Sequence, residues 1–329
     1  MSVLESVPVG LIADIGGTNA RFALCRPGQE AYEEHSLPCA DFAGPVEAAE
    51  TYLKNVRPAE RPKIGAFAVA SPIMGDIVIM TNHPWRFSIK KIRTSLGLHS
   101  LEVINDFAAV ALCVPHLIPS NRFQIGGGTS MADAPIGVLG AGTGLGVALL
   151  VPEDPHWRVI PTEGGHVTMP ASDDHEGAVL KVLRRRFGHV SAERILSGPG
   201  LVNLYLALAE IAGRTPEPIE PTTVTERGLM ETDPLCLAAV RMFLAMLGTI
   251  AGNLVLTIGG RGGLYIAGGI VPRLTTVLPT SLFRARFENK GRFRDYNMCI
   301  PTYVITHSYP AFLGLSTLLH QSLARQKHL

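Results

Sequence analysis

The sequence predicts an α/β protein of about two domains, on three observations. Its 329 residues suit about two domains of ordinary size. Apolar strand-like runs alternate with segments of helical spacing, the pattern of layered α/β proteins. An uncommon arrangement, strand then Gly/Thr bend then strand, occurs twice about 125 residues apart and suggests an internal duplication.

The first copy spans Val9–Leu24. An apolar run ends in Asp14, turns through Gly16, Gly17 and Thr18, and returns as a second apolar run, which reads as a β-hairpin. Glycines leave main-chain N–H groups unshielded and permit positive φ, so such a bend can wrap an anionic group. Asp14, at the strand end, could hold a divalent cation accompanying a polyphosphate, directly or through water. These residues alone equally describe a tight hairpin with a solvated Asp. Helical spacing follows over Ala40–Val56, then a buried strand over Lys63–Ala70, stopped by Ser71-Pro72. Gly75-Asp76 turns into Ile77–Met80, and Ser88 caps a short basic helix ending at Gly97. The strand Glu102–Ile104 then delivers Asn105-Asp106 to its C-terminal end, before a helix from Phe107.

The second copy is Ile136–Val151, with its bend at Gly142, Thr143 and Gly144. Two such hairpins facing each other could grip a triphosphate from both sides. Rival phosphate motifs fail: no Gly-Lys-Ser/Thr is present, and a strand-like run rather than a helix follows the second bend. A third glycine site, Gly268-Gly269, ends the strand from Gly263, and Pro272 opens a helix after it. Such a bend lets a flat base or ribose lie on bare backbone, though it also describes a plain strand-to-helix turn.

Composition bounds the partners. A 47% hydrophobic chain can bury a large core, and 29 basic against 28 acidic side chains leave no basic face for nucleic acid. The five cysteines are scattered and never spaced Cys-x-x-Cys, which fits a reducing, cytoplasmic setting rather than disulfides or thiolate zinc. Met1–Pro8 lacks the basic start and apolar stretch of a signal peptide. Met242–Gly260 is uncharged and about as long as a membrane crossing, but Asn253, its glycines and its isolation point to a buried core helix and no membrane. Gly248 and Gly252, one turn apart, would let a neighbour approach closely.

Seven motifs occur in order: Asp-Ile-Gly-Gly-Thr-Asn-Ala-Arg at 14–21, Thr-Asn-His-x-Trp at 81–85, Ile-Asn-Asp-Phe at 104–107, Gly-Ala-Gly-Thr-Gly-Leu-Gly at 140–146, Glu-Gly-Gly-His at 163–166, Ser-Ala-Glu-Arg-x-Leu-Ser-Gly-Pro-Gly at 191–200 and Ala-Gly-Gly-Ile at 267–270. Together they resemble the bacterial glucokinases of the hexokinase/actin-like superfamily, over residues 9 to 315. The resemblance implies a two-domain actin-like/ribonuclease H-like sugar kinase fold with a cleft between domains. The small domain would hold 1–116 plus 307–329, and the large one 117–306. It implies ATP and Mg²⁺ as cofactors, D-glucose as substrate and a homodimer. A related branch, the ROK type, follows Glu-x-Gly-His with a cysteine-rich zinc motif. Here no cysteine follows His166 until Cys236, so the non-ROK type and no structural zinc are expected.

On matching positions the resemblance implies Asp106 as the general base for the sugar 6-hydroxyl. Asn105, Glu163, His166 and Glu193 would bind the other hydroxyls, buried acidic acceptors selecting one arrangement of OH groups. Ala13, Asp14, Ile15, Gly16, Gly17 and Thr18 would meet the phosphates from one side, and Gly142, Thr143 and Gly144 from the other. Gly268 and Gly269 would border the adenosine. An ordinary Asp, with pKa about 3.9, is ionised at neutral pH and needs no tuning to accept a proton. Each residue also has a plainer reading. Asn105-Asp106 could be a helix cap, Glu193 a partner of Arg194, His166 a hydrogen-bonded core residue and Trp85 packing, while His189 has no assigned role. The rival functions are a kinase of another hexose and a non-catalytic sugar sensor on the same scaffold.

Overall fold

The structure is a computed structural model that describes residues 8–326; the signal-peptide reading of the N-terminus concerns residues that lie almost wholly outside this range. The chain divides into two compact units, one of residues 1–117, 154–161 and 307–329, the other of 118–153 and 162–306.

The first unit contains β1 (Gly10–Ile15), β2 (Asn19–Cys25), β3 (Ala31–Pro38), α1 (Pro45–Val56), β4 (Ile64–Val69), β5 (Ile77–Ile79), β6 (Arg86–Ser88), α2 (Ile89–Ser95), β7 (Ser100–Asn105) and α3 (Asp106–Cys113). Its main sheet has the order β3-β2-β1-β4-β7. The strand β1 is antiparallel to β2 and parallel to β4, which is parallel to β7. Ile15 stands level with Val69, and Val69 with Asn105, so three parallel strands end at one edge. The helix expected from Ala40 starts only at Pro45, after a short 3-10 turn at Cys39–Asp41. Proline lacks the N–H an interior helical position must donate and suits the first turn. Ser88 Oγ accepts from Lys91 N at 3.1 Å, capping α2 as expected, and Gly97 beyond its end adopts φ +67°.

The second unit contains β8 (Arg122–Ile125), β9 (Ile136–Ala141), β10 (Leu145–Glu153), α4 (Asp174–Phe187), α5 (Gly198–Ile211), α6 (Pro221–Leu229), α7 (Pro234–Ile258), β12 (Gly263–Ala267), α8 (Phe283–Glu288), α9 (Arg294–Met298) and β13 (Thr302–Ile305); the strand β11 (His156–Thr162), which follows β10 in the chain, has residues 156–161 in the first unit. The sheet order is β11-β10-β9-β12-β13-β8. Its first five strands repeat the order of the other sheet, the strand before each Gly/Thr bend lying third. The final helix, α10 (Pro310–Gln326), returns to the first unit. There it packs on α3 so closely that a Cβ at Gly314 would sit 1.8 Å from the carbonyl oxygen of Ala109.

The uncharged span falls in α7, long and apolar enough for a membrane crossing, yet 78% of its apolar window is buried inside the protein. Cβ atoms at Gly248 and Gly252 would lie 2.1 Å from Phe283 O and 2.5 Å from Phe287 O. The two glycines let α8 lie directly on α7, as their spacing suggested. The α-helix expected at Pro272 is only a 3-10 turn, Val271–Leu274.

Candidate active site

In the first unit the level strand ends gather five expected residues. Gly16–Thr18 follow β1, and Asn105 and Asp106 stand where β7 passes into α3. One strand, β4, lies between them, so their backbones are about 10 Å apart at sheet spacing. Ala13 and Ile15 are buried in the strand, while Thr18 is exposed at the bend. Gly16 N donates to Asn19 O at 2.9 Å, closing the turn. Neither Gly16 nor Gly17 adopts the left-handed conformation that the sequence suggested. Glycine serves close approach instead, because a Cβ at Gly17 would sit 2.9 Å from Asn82 O.

Asp14 is not a free solvated carboxylate. β1 runs one residue past it, and cross-strand Arg21 contacts it, Nη1 to Oδ2, at 3.2 Å. Arg21 escaped the sequence reading, although the hairpin register that places it opposite Asp14 follows from the spacing of the two apolar runs. Burial raises the Asp14 pKa, and Arg21 opposes that rise without cancelling it. A desolvated carboxylate beside a bend of backbone amides suits a nucleotide-borne Mg²⁺, which needs only one or two protein carboxylates.

Asn105 does two jobs at once. Its Oδ1 caps α3, accepting from Phe107 N at 2.9 Å and Ala108 N at 3.3 Å. The plain capping reading therefore holds, and it also fixes the amide, since Oδ1 on the helix leaves the NH₂ to donate, with the Asp106 carboxylate within its reach. Asp106 is the first residue of α3 and accepts from Phe107 N at 2.9 Å. Contrary to the untuned Asp of the sequence reading, its pKa is raised to about 6, chiefly by burial and secondly by the charge of Asp14. A carboxyl poised there titrates within reach of neutral pH.

In the second unit, β9 and β12 run parallel with Ala267 level with Gly140, so the bends Gly142–Gly144 and Gly268-Gly269 leave one sheet edge. Ligands of α/β sheets bind outside such C-terminal strand ends. Gly268 does take positive φ, +88°, and its missing Cβ lets the chain pass Ala141, whose oxygen would be 2.3 Å away. Gly269 is exposed beside it. Thr143 is exposed at the tip of its bend. Gly142 and Gly144, like Gly16 and Gly17, are not left-handed. The bend is held by Gly142 N to Gly144 O at 2.8 Å and by Gly198 N, at the start of α5, to Gly142 O at 2.8 Å.

Glu163, His166 and Glu193 come together beside this bend. Val167 O accepts from Ala192 N at 2.8 Å and Val190 O from Met169 N at 3.0 Å, clasping the 163–169 and 190–194 segments. His166 Nε2 lies 3.8 Å from Glu163 Oε2, and these side chains are 60% and 62% exposed rather than buried. Gly164-Gly165 allow the turn by close approach, since a Cβ at Gly165 would fall 2.1 Å from Leu145 O. Half-buried Glu193 accepts from Leu145 N through Oε2 at 2.9 Å, so it is no mere partner of Arg194. Trp85 is packing, its Nε1 donating to Phe42 O at 3.0 Å, and His189 pairs with Thr168 at 3.0 Å. Among the described residues no three His, Cys, Asp or Glu side chains group as a metal site.

The two sheets, each with Gly bends at its strand ends, have the mixed α/β fold of a sugar kinase. The fold superposes, at TM-score 0.87 and 36% identity, on the crystal structure of a glucokinase from an Antarctic psychrotroph, covering 95% of this chain and 99% of that one. Residues 11–322 match the family model for glucokinase. Curated relatives named glucokinase include one from Paramagnetospirillum magneticum, 52% identical over 94% of this chain and 97% of its own length. Another, from Nitrobacter hamburgensis, is 48% identical over 94% and 96%. The chain belongs to the glucokinase family.

Proposed function

We propose that the protein transfers the γ-phosphoryl group of ATP to the 6-hydroxyl of D-glucose, giving glucose 6-phosphate and ADP. The observation that carries this reading is Asp106, half-buried at a helix N-terminus, with its pKa raised to about 6 at the strand edge that carries the first bend. As O6 bonds to the γ-phosphorus and the bond to ADP breaks, the hydroxyl proton passes to the Asp106 carboxylate. Phosphoryl-transfer transition states are loose, so positioning and charge neutralisation contribute more than the base. Asn105 NH₂, Glu163, His166 and Glu193 would orient the remaining hydroxyls. Sugar binding would cover the exposed Glu163 and His166, where their hydrogen bonds strengthen as water leaves.

Residues 13–18 and 142–144 would meet the phosphates and Gly268-Gly269 the adenosine. Mg²⁺ arriving with ATP would neutralise phosphate charge, held by Asp14 directly or through water. The functional division would be 1–116 plus 307–329 against 117–306. The chain would belong to the non-ROK branch and act as a cytoplasmic homodimer; its five free cysteines, four of them buried, suit a reducing compartment. Coupled ADP release across a panel of hexoses and amino sugars tests the reading. Glucose should give the highest kcat/KM, and another sugar outpacing it, or no glucose-dependent ADP, overturns the assignment.

A further inference from the structure

We infer that Glu193 is also a positioning residue for the second bend, so that sugar and nucleotide occupancy are coupled through one contact. The inference rests on the proposed assignment of Glu193 to the sugar and of 142–144 to the nucleotide. Three observations carry it. Glu193 Oε2 accepts from the N–H of Leu145, the residue that closes the bend. A Cβ at Gly144 would sit 2.5 Å from that same Oε2, so the carboxylate lies flat against the bend itself. The carbonyl of Leu145 in turn touches Gly165, within the Glu163–His166 turn. Both sugar-binding segments therefore rest on the peptide groups of Leu145.

The physics of the coupling is preorganisation. A short loop of two glycines and a threonine loses much conformational freedom when it closes on phosphates. With Oε2 on Leu145 N, Oε1 is left for a sugar hydroxyl, and a hydroxyl bound there immobilises the whole carboxylate. That immobilises the exit of the bend before the nucleotide arrives, so part of the ordering entropy has already been lost. Linkage makes the effect mutual: whatever glucose does to nucleotide affinity, nucleotide does to glucose affinity. The serine at the start of α5 completes the frame, Ser197 Oγ donating to Glu193 O at 2.8 Å while Gly198 N holds Gly142 O.

Calorimetry with ADP and D-glucose tests this by perturbing each side and reading the other. Glu193→Asp shortens the side chain by one methylene and withdraws it from Leu145 N. Glucose-free ADP affinity should fall about 3–10-fold, the net worth of one ordinary hydrogen bond. Glu193→Gln keeps an acceptor for Leu145 N, so it should preserve glucose-free ADP affinity while weakening glucose. Gly144→Ala pushes the carboxylate aside and should weaken glucose about 10-fold, although it lies in the nucleotide bend. The double variant should lose no more than the worse single one, because both break one contact. Unchanged ADP affinity in Glu193→Asp with unchanged glucose affinity in Gly144→Ala overturns the inference. Gly142→Val separates this from failure of the underlying assignment. A Cβ there meets nothing within 4 Å, so the added side chain starts in open space beside the bend. Loss of ADP binding in Gly142→Val upholds the nucleotide assignment whatever Glu193 does, and normal ADP binding sinks both.

Discussion

Replacing Asp106 by Asn should abolish most turnover and at the same time stabilise the protein. Burial and the charge of Asp14 raise this carboxyl from 3.8 to about 6. At about 1.4 kcal/mol per pKa unit, keeping it ionised in the native state costs roughly 3 kcal/mol at pH 8. The sign follows from proton binding. The native state holds the proton more tightly than the unfolded chain, so the cost is complete above the native pKa and vanishes below the unfolded one. By the same linkage relation it is about half as large at pH 5 and small at pH 4. Asn keeps the volume and the acceptor for Phe107 N without the charge. Its melting midpoint should exceed the wild type by roughly 2–4 °C per kcal/mol recovered at pH 8, with the gap closing as pH falls toward 4.

Turnover should fall in the opposite sense, with kcat reduced by roughly 10²–10⁴ while glucose still binds. The wild-type kcat/KM should show an acid limb near pH 6, where the base becomes protonated. Differential scanning at three pH values, beside initial rates, measures both halves. Near-normal turnover in Asp106→Asn refutes the base assignment. A melting difference independent of pH refutes the argument that a desolvated charge is held there for the reaction.

Two further perturbations probe the sugar contact and the scaffold. Glu163→Gln removes a charged acceptor while keeping its shape, so glucose affinity should fall about 10–100-fold and ATP affinity should stay within about threefold; calorimetry giving equal losses for both ligands counts against its place in the sugar pocket. Gly248→Ala improves helix propensity by about 1 kcal/mol. Its methyl would nevertheless press into Phe283 O, 2.1 Å away, and overpacking against backbone of about 1–3 kcal/mol should win. A lower melting midpoint is expected, and a higher one would show that α8 yields freely.

Much of this was legible because it resides in local pattern. The two bends, the strand that ends at Asn105-Asp106 and the buried helix α7 each sit in an apolar run with clear punctuation. What escaped was of two kinds. Edge segments such as β3, whose residues are largely exposed, carry no apolar alternation to mark them. Properties that arise only from packing were also invisible. The raised pKa of Asp106 needs burial that no spacing encodes, and the role of Gly17 and Gly144, close approach rather than positive φ, needs Asn82 and Glu193 in place. The exposure of Glu163 and His166 likewise depends on how the turn at Gly164-Gly165 folds over Leu145.

The repeated sheet order makes the differences between the two bends more informative than their likeness. The closing pairs are Ile15 with Ala20 in the first hairpin and Ala141 with Leu145 in the second. One pair further back, the first hairpin sets Asp14 opposite Arg21, and the second sets Gly140 opposite Gly146. Only the first bend therefore carries a carboxylate in its own strand. The second bend lacks any side-chain charge of its own and receives one from a distant segment, through Glu193 on Leu145 N. That borrowed carboxylate is also a sugar ligand in the proposed assignment. A duplicated strand-and-bend unit thus yields two unlike halves: one suited to the metal side of a polyphosphate, the other to linking phosphate and sugar.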